Sequence, residues 1–232
     1  MTPVAEINVV KRNGETTPLD LERVHHIVEH ACRGLAGVSE SAVEMNSGLQ
    51  FFDGIKTSDI QEILIRSAND LITLDAPNYQ YVAARLLLFS LRKAVYQGHP
   101  DERPKLLDHV KKCVDLNVYD GSIVTKFSDE EWDKLNSYID HDRDYLFTYA
   151  GIRQVVDKYL VQDRSTGEVF ETPQFMYIMI AATLFQDDDK FYRLEYIKKY
   201  YDAISKHRIN IPTPIMAGVR TPIRQFASCV LV

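Results

Sequence analysis

The sequence is poor in what several protein classes require. Its 3 cysteines among 232 residues, Cys32, Cys113 and Cys229, are too widely separated for a zinc site and odd in number for a disulfide framework. A reducing cytoplasm is therefore the expected compartment. Positive charge is not in excess: 27 Lys and Arg stand against 33 Asp and Glu, for a formal net charge of −6. With no basic stripe to compensate, that argues against a protein that coats nucleic acid. Long apolar runs are missing. The longest, Phe175 to Phe185, is too short for a membrane span, which needs roughly 20 residues. The opening Met1 to Glu6 has neither the basic nor the apolar region of a signal peptide. No Gly-x-x-x-x-Gly-Lys-Ser/Thr loop is present, so hydrolysis of a nucleoside triphosphate by that device is unsupported. Repeats and low-complexity tracts are absent as well. What is there is globular: 45% hydrophobic and 26% charged residues, enough for one large domain or two small ones.

Periodicity predicts a mainly helical chain with small β-hairpins. Ile7 to Arg12 reads as a strand, Asn13-Gly14 as a two-residue turn, and Glu15 to Leu19 as the return, with Pro18 confining it to an edge. Asp20 caps a helix striped by Val24, Ile27, Val28, Ala31, Cys32 and Leu35 and closed by Gly34 and Gly37. Further helices are expected over about Ser39–Gln50, from Thr57 or Ser58 past Ile72, and over about Tyr79–Tyr96. The stretch Gly98 to Pro104, with glycine, two prolines and charges, is the best domain boundary. Beyond it, helices are expected at Leu106–Leu116, after a Ser128–Glu131 capping box, and around Tyr145–Tyr159. A hairpin should turn at Gly167. Thr172-Pro173 should open a helix apolar on nearly all sides, central to the second domain. Phe191, Leu194, Ile197, Tyr201 and Ile204 stripe the last long helix. Ile211-Pro-Thr-Pro-Ile215 reads as an ordered loop rather than helix, leading into a terminal buried strand, Thr221–Val232, that wants neighbours on both edges.

Four segments carry candidate chemistry. Lys11 and Arg12 stand beside the turn, shortly before the helix that Asp20 starts; a helix N-terminus with two cations favours phosphate. Lys93 on the fourth helix could complete the ring. A solvated Lys-Arg pair is the commoner reading of such residues. Thr57 or Ser58, after Gly54, would cap the third helix or reach a ribose or base. Asp140-His-Asp-Arg-Asp144 gathers three carboxylates and one histidine, yet consecutive side chains diverge and no second motif completes a shell. Capping, with Arg143 neutralising its neighbours, is expected, and no metal is assigned. Cys229 is either a small buried hydrophobe or a redox thiol, with Ser228 beside it.

Together these segments resemble one family over essentially the whole chain, the large (alpha) subunit of class I ribonucleotide reductase. Lys11-Arg-Asn-Gly14 with Leu19-Asp-Leu-Glu-Arg23 looks like its N-terminal regulatory module, the ATP-cone. Asp53 to Ile60 and Tyr79 to Leu86 are similar to that module's helices. Ile139 to Asp144, Leu160-Val-Gln162, Pro212 to Met216 and above all Gln225-Phe-Ala-Ser-Cys-Val230 resemble the approach to the catalytic barrel and its first strand. The resemblance implies an ATP-cone over 1–98, a helical region over 99–220, and the incomplete first strand of a ten-stranded α/β barrel over 221–232.

It also implies roles. Lys11, Arg12, Thr17, Pro18, Leu19, Asp20, Leu21, Glu22, Arg23, Thr57, Gln61 and Lys93 would bind ATP or dATP as an allosteric effector. Gln61 departs from the family's usual His or Asp, which bears on the strength or selectivity of that binding. Thr213 and Ser228 would touch a ribonucleoside diphosphate, and Cys229 would be one of two redox-active thiols. The metal of the radical cofactor would belong to a small (beta) subunit rather than to this chain. Expected partners are that subunit, thioredoxin or glutaredoxin as reductant, a second alpha chain, and the remainder of the alpha subunit on another polypeptide; neither nucleic acid nor membrane is expected. The chain alone would be inactive, and a naturally split subunit is the expectation. The alternative is a stand-alone nucleotide sensor that regulates a partner without chemistry, which would have no need of Thr213 or the Ser228-Cys229 pair.

Overall fold

The structure, a computed structural model, describes residues 7–223 and 225–227. Contacts divide the chain into one unit of residues up to Ser90 together with Phe147–Arg153, and another of Leu91–Leu146 with the residues from Gln154 on.

The first unit opens on a hairpin. Strand β1 (Asn8–Val10) pairs antiparallel with β2 (Thr16–Pro18), matching Asn8 to Pro18 and Val10 to Thr16. A third strand, β3 (Ile55–Lys56), runs parallel to β1 in the order β2-β1-β3, so Pro18 does lie on an edge strand. This two-residue strand was not expected: it is too short to show alternation. The hairpin turn also differs from expectation. Lys11 N–H donates to the Glu15 carbonyl and Gly14 N–H to the Lys11 carbonyl, at 2.8 and 2.9 Å. Gly14 has φ of 83° and Asn13 does not enter the left-handed region. A two-residue type I′ turn needs both central residues there; one left-handed glycine after a type I turn gives a three-residue loop instead.

Helices α1 (Leu21–Cys32), α2 (Glu40–Gly48) and α3 (Thr57–Asp70) follow, the first two capped by the side chains of Asp20 and Ser39. Their inward residues, Val28 and Ala31, Val43, and Ile60, Leu64 and Ile65, join Val9 and Ile55 of the sheet in the core. Helix α4 (Tyr79–Val95) is cut by the division between units after Ser90.

In the second unit α5 (Leu106–Asp115) and a 3-10 turn (Gly121–Thr125) precede α6 (Asp129–Tyr138). The Ser128/Glu131 capping box forms as expected. Glu131 also takes Nε and Nη2 of Arg193. The single helix expected over Tyr145–Tyr159 is broken into a 3-10 stretch (His141–Leu146) and α7 (Tyr149–Lys158), of which the part up to Arg153 is grouped with the first unit. The tight stretch accompanies burial of the Asp144 carboxylate, and Thr148 Oγ1 accepts from Gly151 N–H to start the new helix.

The hairpin at Gly167 is present as a Gln162–Val169 bridge. Helix α8 (Pro173–Phe185) has Pro173 through Ala182 all buried. It packs on α9 (Arg193–Ser205), on the 141–146 stretch and on α10 (Thr213–Gly218). Thr172 does not cap α8 with its side chain; its hydroxyl meets Tyr96 OH at 3.1 Å. Phe191 falls outside the α9 stripe and is 92% exposed, while Arg193, held by Glu131, is the buried residue at the helix start. Ile211–Ile215 is not a loop throughout, because α10 begins at Thr213. Pro214 sits in the first turn, where its missing N–H costs nothing. Of the expected terminal strand, 221–223 and 225–227 are described and form no strand; a buried strand needs ladder partners, and no described segment pairs with these residues. Ser228 to Val232 lie outside the described residues.

Candidate functional site

The register of the small sheet sorts the candidate effector residues. Val10 pairs with Thr16 on one side and with Lys56 on the other. The Lys11–Gly14 loop, Thr16 and the start of α3 therefore share one end of the sheet. Leu19 N–H closes on the Ile7 carbonyl at 2.8 Å, so Asp20 and the start of α1 lie at the opposite end, about four strand rises of roughly 3.4 Å from the level of Val10 and Lys56. The meeting of Lys11 and Arg12 with a helix N-terminus, which the sequence suggested for α1, occurs with α3 instead. Asp20 also uses its carboxylate to accept Arg23 N–H at 2.9 Å, which already occupies that helix end.

Helix α3 is different. Its N-cap position is Lys56, and no side chain caps it; Thr57 is the first helical residue rather than the cap. The first-turn N–H groups thus keep their capacity for an outside acceptor. Gly54, at φ of 83°, makes the sharp entry: its N–H reaches the Asn8 carbonyl at 2.9 Å. Asp53 accepts from both the backbone and side-chain N–H groups of Asn8. Lys11 and Arg12 are exposed. Lys11 Nζ lies 3.2 Å from Glu15, and that hydrogen bond, with one from Asn13, holds the Glu15 carboxyl below its ordinary range. Gln61, one turn into α3, donates from Nε2 to the Leu86 carbonyl of α4 at 3.0 Å, tying the two helices. Lys93 lies in the last turn of α4 and is counted with the second unit.

Among residues expected to face a substrate, Thr213 is exposed as the first residue of α10. Ser228 and Cys229 lie outside the described residues. Two residues beyond α10, Arg220 is fully enclosed. Its Nε donates to Glu171 at 2.9 Å and its Nη1 to the Met216 carbonyl at 2.5 Å. A second guanidinium contact to Glu171, and Tyr119 OH to the same carboxylate, complete the cluster. No sequence pattern signals this pair, because its members are 49 residues apart and each reads as an ordinary charged residue.

The described cysteines, Cys32 and Cys113, are both buried. Burial pushes the Cys113 thiol up to about 12 and Cys32 to about 11. His109, 3.6 Å from Cys113, is driven by burial down to about 4 and is a neutral ring rather than an activating cation. Among the described residues no His, Cys, Asp and Glu group could hold a metal ion. In the 140–144 segment Arg143 does pair with Asp140 at 3.2 Å, whereas Asp144 is neutralised by Arg92 at 2.9 Å. No helix among the described residues is long and apolar enough to cross a membrane.

Comparison with known proteins matches two stretches of the chain to domain families. Residues 7–94 match the ATP cone domain, and residues 145–224 match the ribonucleotide reductase all-alpha domain. Over 97% of its length the chain is 50% identical to ribonucleoside-diphosphate reductase 1 subunit alpha of Escherichia coli (strain K12). The identity is again 50% with the subunit alpha of Haemophilus influenzae (strain ATCC 51907 / DSM 11121 / KW20 / Rd), over the same 97% of the chain. It is 42%, over 97% of the chain, with that of Enterobacteria phage T4. The chain spans 29% of the length of each of these relatives. With both domain matches and this identity, the chain belongs to the class I ribonucleotide reductase large-subunit family, of which it carries the ATP cone and the all-alpha domain.

Proposed function

We propose that this chain is the effector-binding and entry region of a ribonucleoside-diphosphate reductase alpha subunit. The observation that carries the reading is the sheet end at which Lys11, Arg12 and the uncapped start of α3 come together within an ATP cone. Cations and helix N–H groups at one place suit a polyphosphate, because both the charge and the donors favour it. The phosphates of ATP or dATP would sit there, near Thr57, with Lys93 as a further cation. The nucleoside would extend along Thr17, Pro18, Leu19, Asp20, Leu21, Glu22 and Arg23, and Gln61 would act through its hold on α4.

In the second domain Thr213 and Ser228 would meet the ribonucleoside diphosphate. Cys229 and a second thiol would supply two electrons and two protons, ending as a disulfide while the 2′-hydroxyl leaves as water. A radical-generating beta subunit and a dithiol reductant such as thioredoxin or glutaredoxin are the partners this chemistry requires. The all-alpha domain supports this reading over that of a sensor without chemistry.

Titration of the chain with ATP and dATP by calorimetry is the test. Saturable binding is expected, and Lys11→Ala or Lys93→Ala should weaken it about tenfold or more, the loss of one charge-assisted contact. Wild-type affinity in both variants would reject the site.

A further inference from the structure

We propose that Arg220, locked by Glu171, is a positioning residue for Thr213: the buried ion pair aims α10 and so places the exposed residue at its far end. The inference rests on the reading that Thr213 touches a ribonucleoside diphosphate, and extends it to residues that touch no ligand.

All the residues concerned belong to the second unit. The buried residues of α10 and its exit lie towards the C-terminal end: Met216, Gly218, Val219, Arg220 and Thr221. Pro212 and Thr213, at the other end, are exposed. Arg220 ties down the buried end. Its Nε donates to Glu171 Oε2 at 2.9 Å, and its Nη2 engages the other carboxylate oxygen, a bidentate pair. Nη2 also donates to the Tyr159 carbonyl at 2.9 Å. Nη1 turns back to the Met216 carbonyl at 2.5 Å, in the last turn of α10, as a cation at a helix C-terminus can. The backbone carbonyl of Arg220 accepts the Asp120 N–H at 2.9 Å, so main chain and side chain are held together. Glu171 is fixed in turn: Val161 N–H reaches Oε1 at 2.6 Å, and Tyr119 OH donates to Oε2.

A buried ion pair adds little net stability over a well-packed apolar pair. What the guanidinium supplies is direction, because its donors form a rigid planar fork. Direction matters at Thr213. The stretch from Arg220 back to Thr213 runs about 10 Å at roughly 1.5 Å per residue, so a tilt of about 10° at Arg220 moves Thr213 by roughly 2 Å. That is enough to lose a hydrogen bond, whose donor and acceptor must lie within about 3.2 Å.

Steady-state reduction of CDP by the chain, completed with the rest of the alpha subunit and a radical-generating beta subunit, tests the proposal. Arg220→Lys keeps the charge but not the fork. It should raise the KM for CDP about tenfold, the loss of one hydrogen bond, with kcat retained. Thr213→Ala should raise KM to the same degree. Adding Arg220→Lys to Thr213→Ala should then change KM by less than about twofold, because the two act through one contact. Glu171→Gln with Arg220→Met, which leaves no buried charge unpaired, should behave as Arg220→Lys does and serves in its place if that variant fails to fold. A merely structural role would instead lower kcat, through fewer folded molecules, at wild-type KM. That result, wild-type KM in both pair variants, or additive KM effects on the Thr213→Ala background would overturn the proposal while Thr213→Ala still raises KM. Wild-type KM in Thr213→Ala, or no reduction by the wild-type assembly, would remove the reading of Thr213 itself and this inference with it.

Discussion

Glu171 and Arg220 illustrate how much one pair of side chains can decide. Both are fully enclosed, and the carboxylate receives Arg220, Tyr119 and the Val161 N–H. Removing one charge leaves the other buried and uncompensated, which costs about 3–5 kcal/mol. Glu171→Gln should lower unfolding stability by that order in urea, followed through the fluorescence of Trp132, the one tryptophan of the chain. Glu171→Gln combined with Arg220→Met should cost less than the two changes summed, because the orphaned charge is gone. His109 offers a pH test. Burial lowers it from 6.5 to about 4 in the folded chain, so above pH 6.5 the ring is neutral in both states and its contribution is complete. As pH falls below 6.5 the unfolded chain takes up the proton first, and stability declines until the folded form protonates near pH 4, at up to about 1.4 kcal/mol per pH unit. His109→Gln should flatten the pH–stability curve in that window; an unchanged slope would mean that the ring is not buried as neutral imidazole. His141, lowered by burial to about 3, keeps part of the slope in the variant.

Among the elements, α6 was the most legible. Its capping box is a local pattern, Ser128 to Glu131, and needs no tertiary information to form. Ser128→Ala should cost about 1 kcal/mol by the same urea measurement, and Glu131→Gln more, since that carboxylate also holds Arg193. The α1 stripe and the buried character of α8 were equally plain, because periodicity and its absence report directly on burial. Where the sequence misled, a tertiary partner had intervened. Burial of Asp144 accompanies the 3-10 stretch before α7, and β3 exists only because β1 is there to pair with it. Of the candidate effector residues, Lys11, Arg12, Asp20, Thr57 and Lys93 came from reading the residues themselves; the rest of Thr17–Arg23 and Gln61 came only from the family resemblance. Their grouping came from neither, since register alone places Lys11 and Arg12 beside α3 rather than α1.

At the scale of the whole chain, ligand binding should appear as stability. ATP at about 100 times its Kd adds about 2.7 kcal/mol to any cooperative unit that binds it folded but not unfolded. The chain holds two units, so ATP should raise the melting transition of the first unit, which carries Lys11, Arg12 and α3, in calorimetric scans. The shift should shrink as salt screens the cation–phosphate contacts; a salt-independent shift would point to recognition without Lys11 and Arg12.

The sequence by itself determined the helical class, the presence of the first hairpin, the caps of α1, α2 and α6 and the order of the two domains, because these follow from spacing and from neighbours within a few residues. Only the tertiary structure decided which helix start joins the Lys11–Arg12 loop and which charges are buried as pairs. Strand register and a partner 49 residues away are set by packing in three dimensions, and no local pattern encodes that.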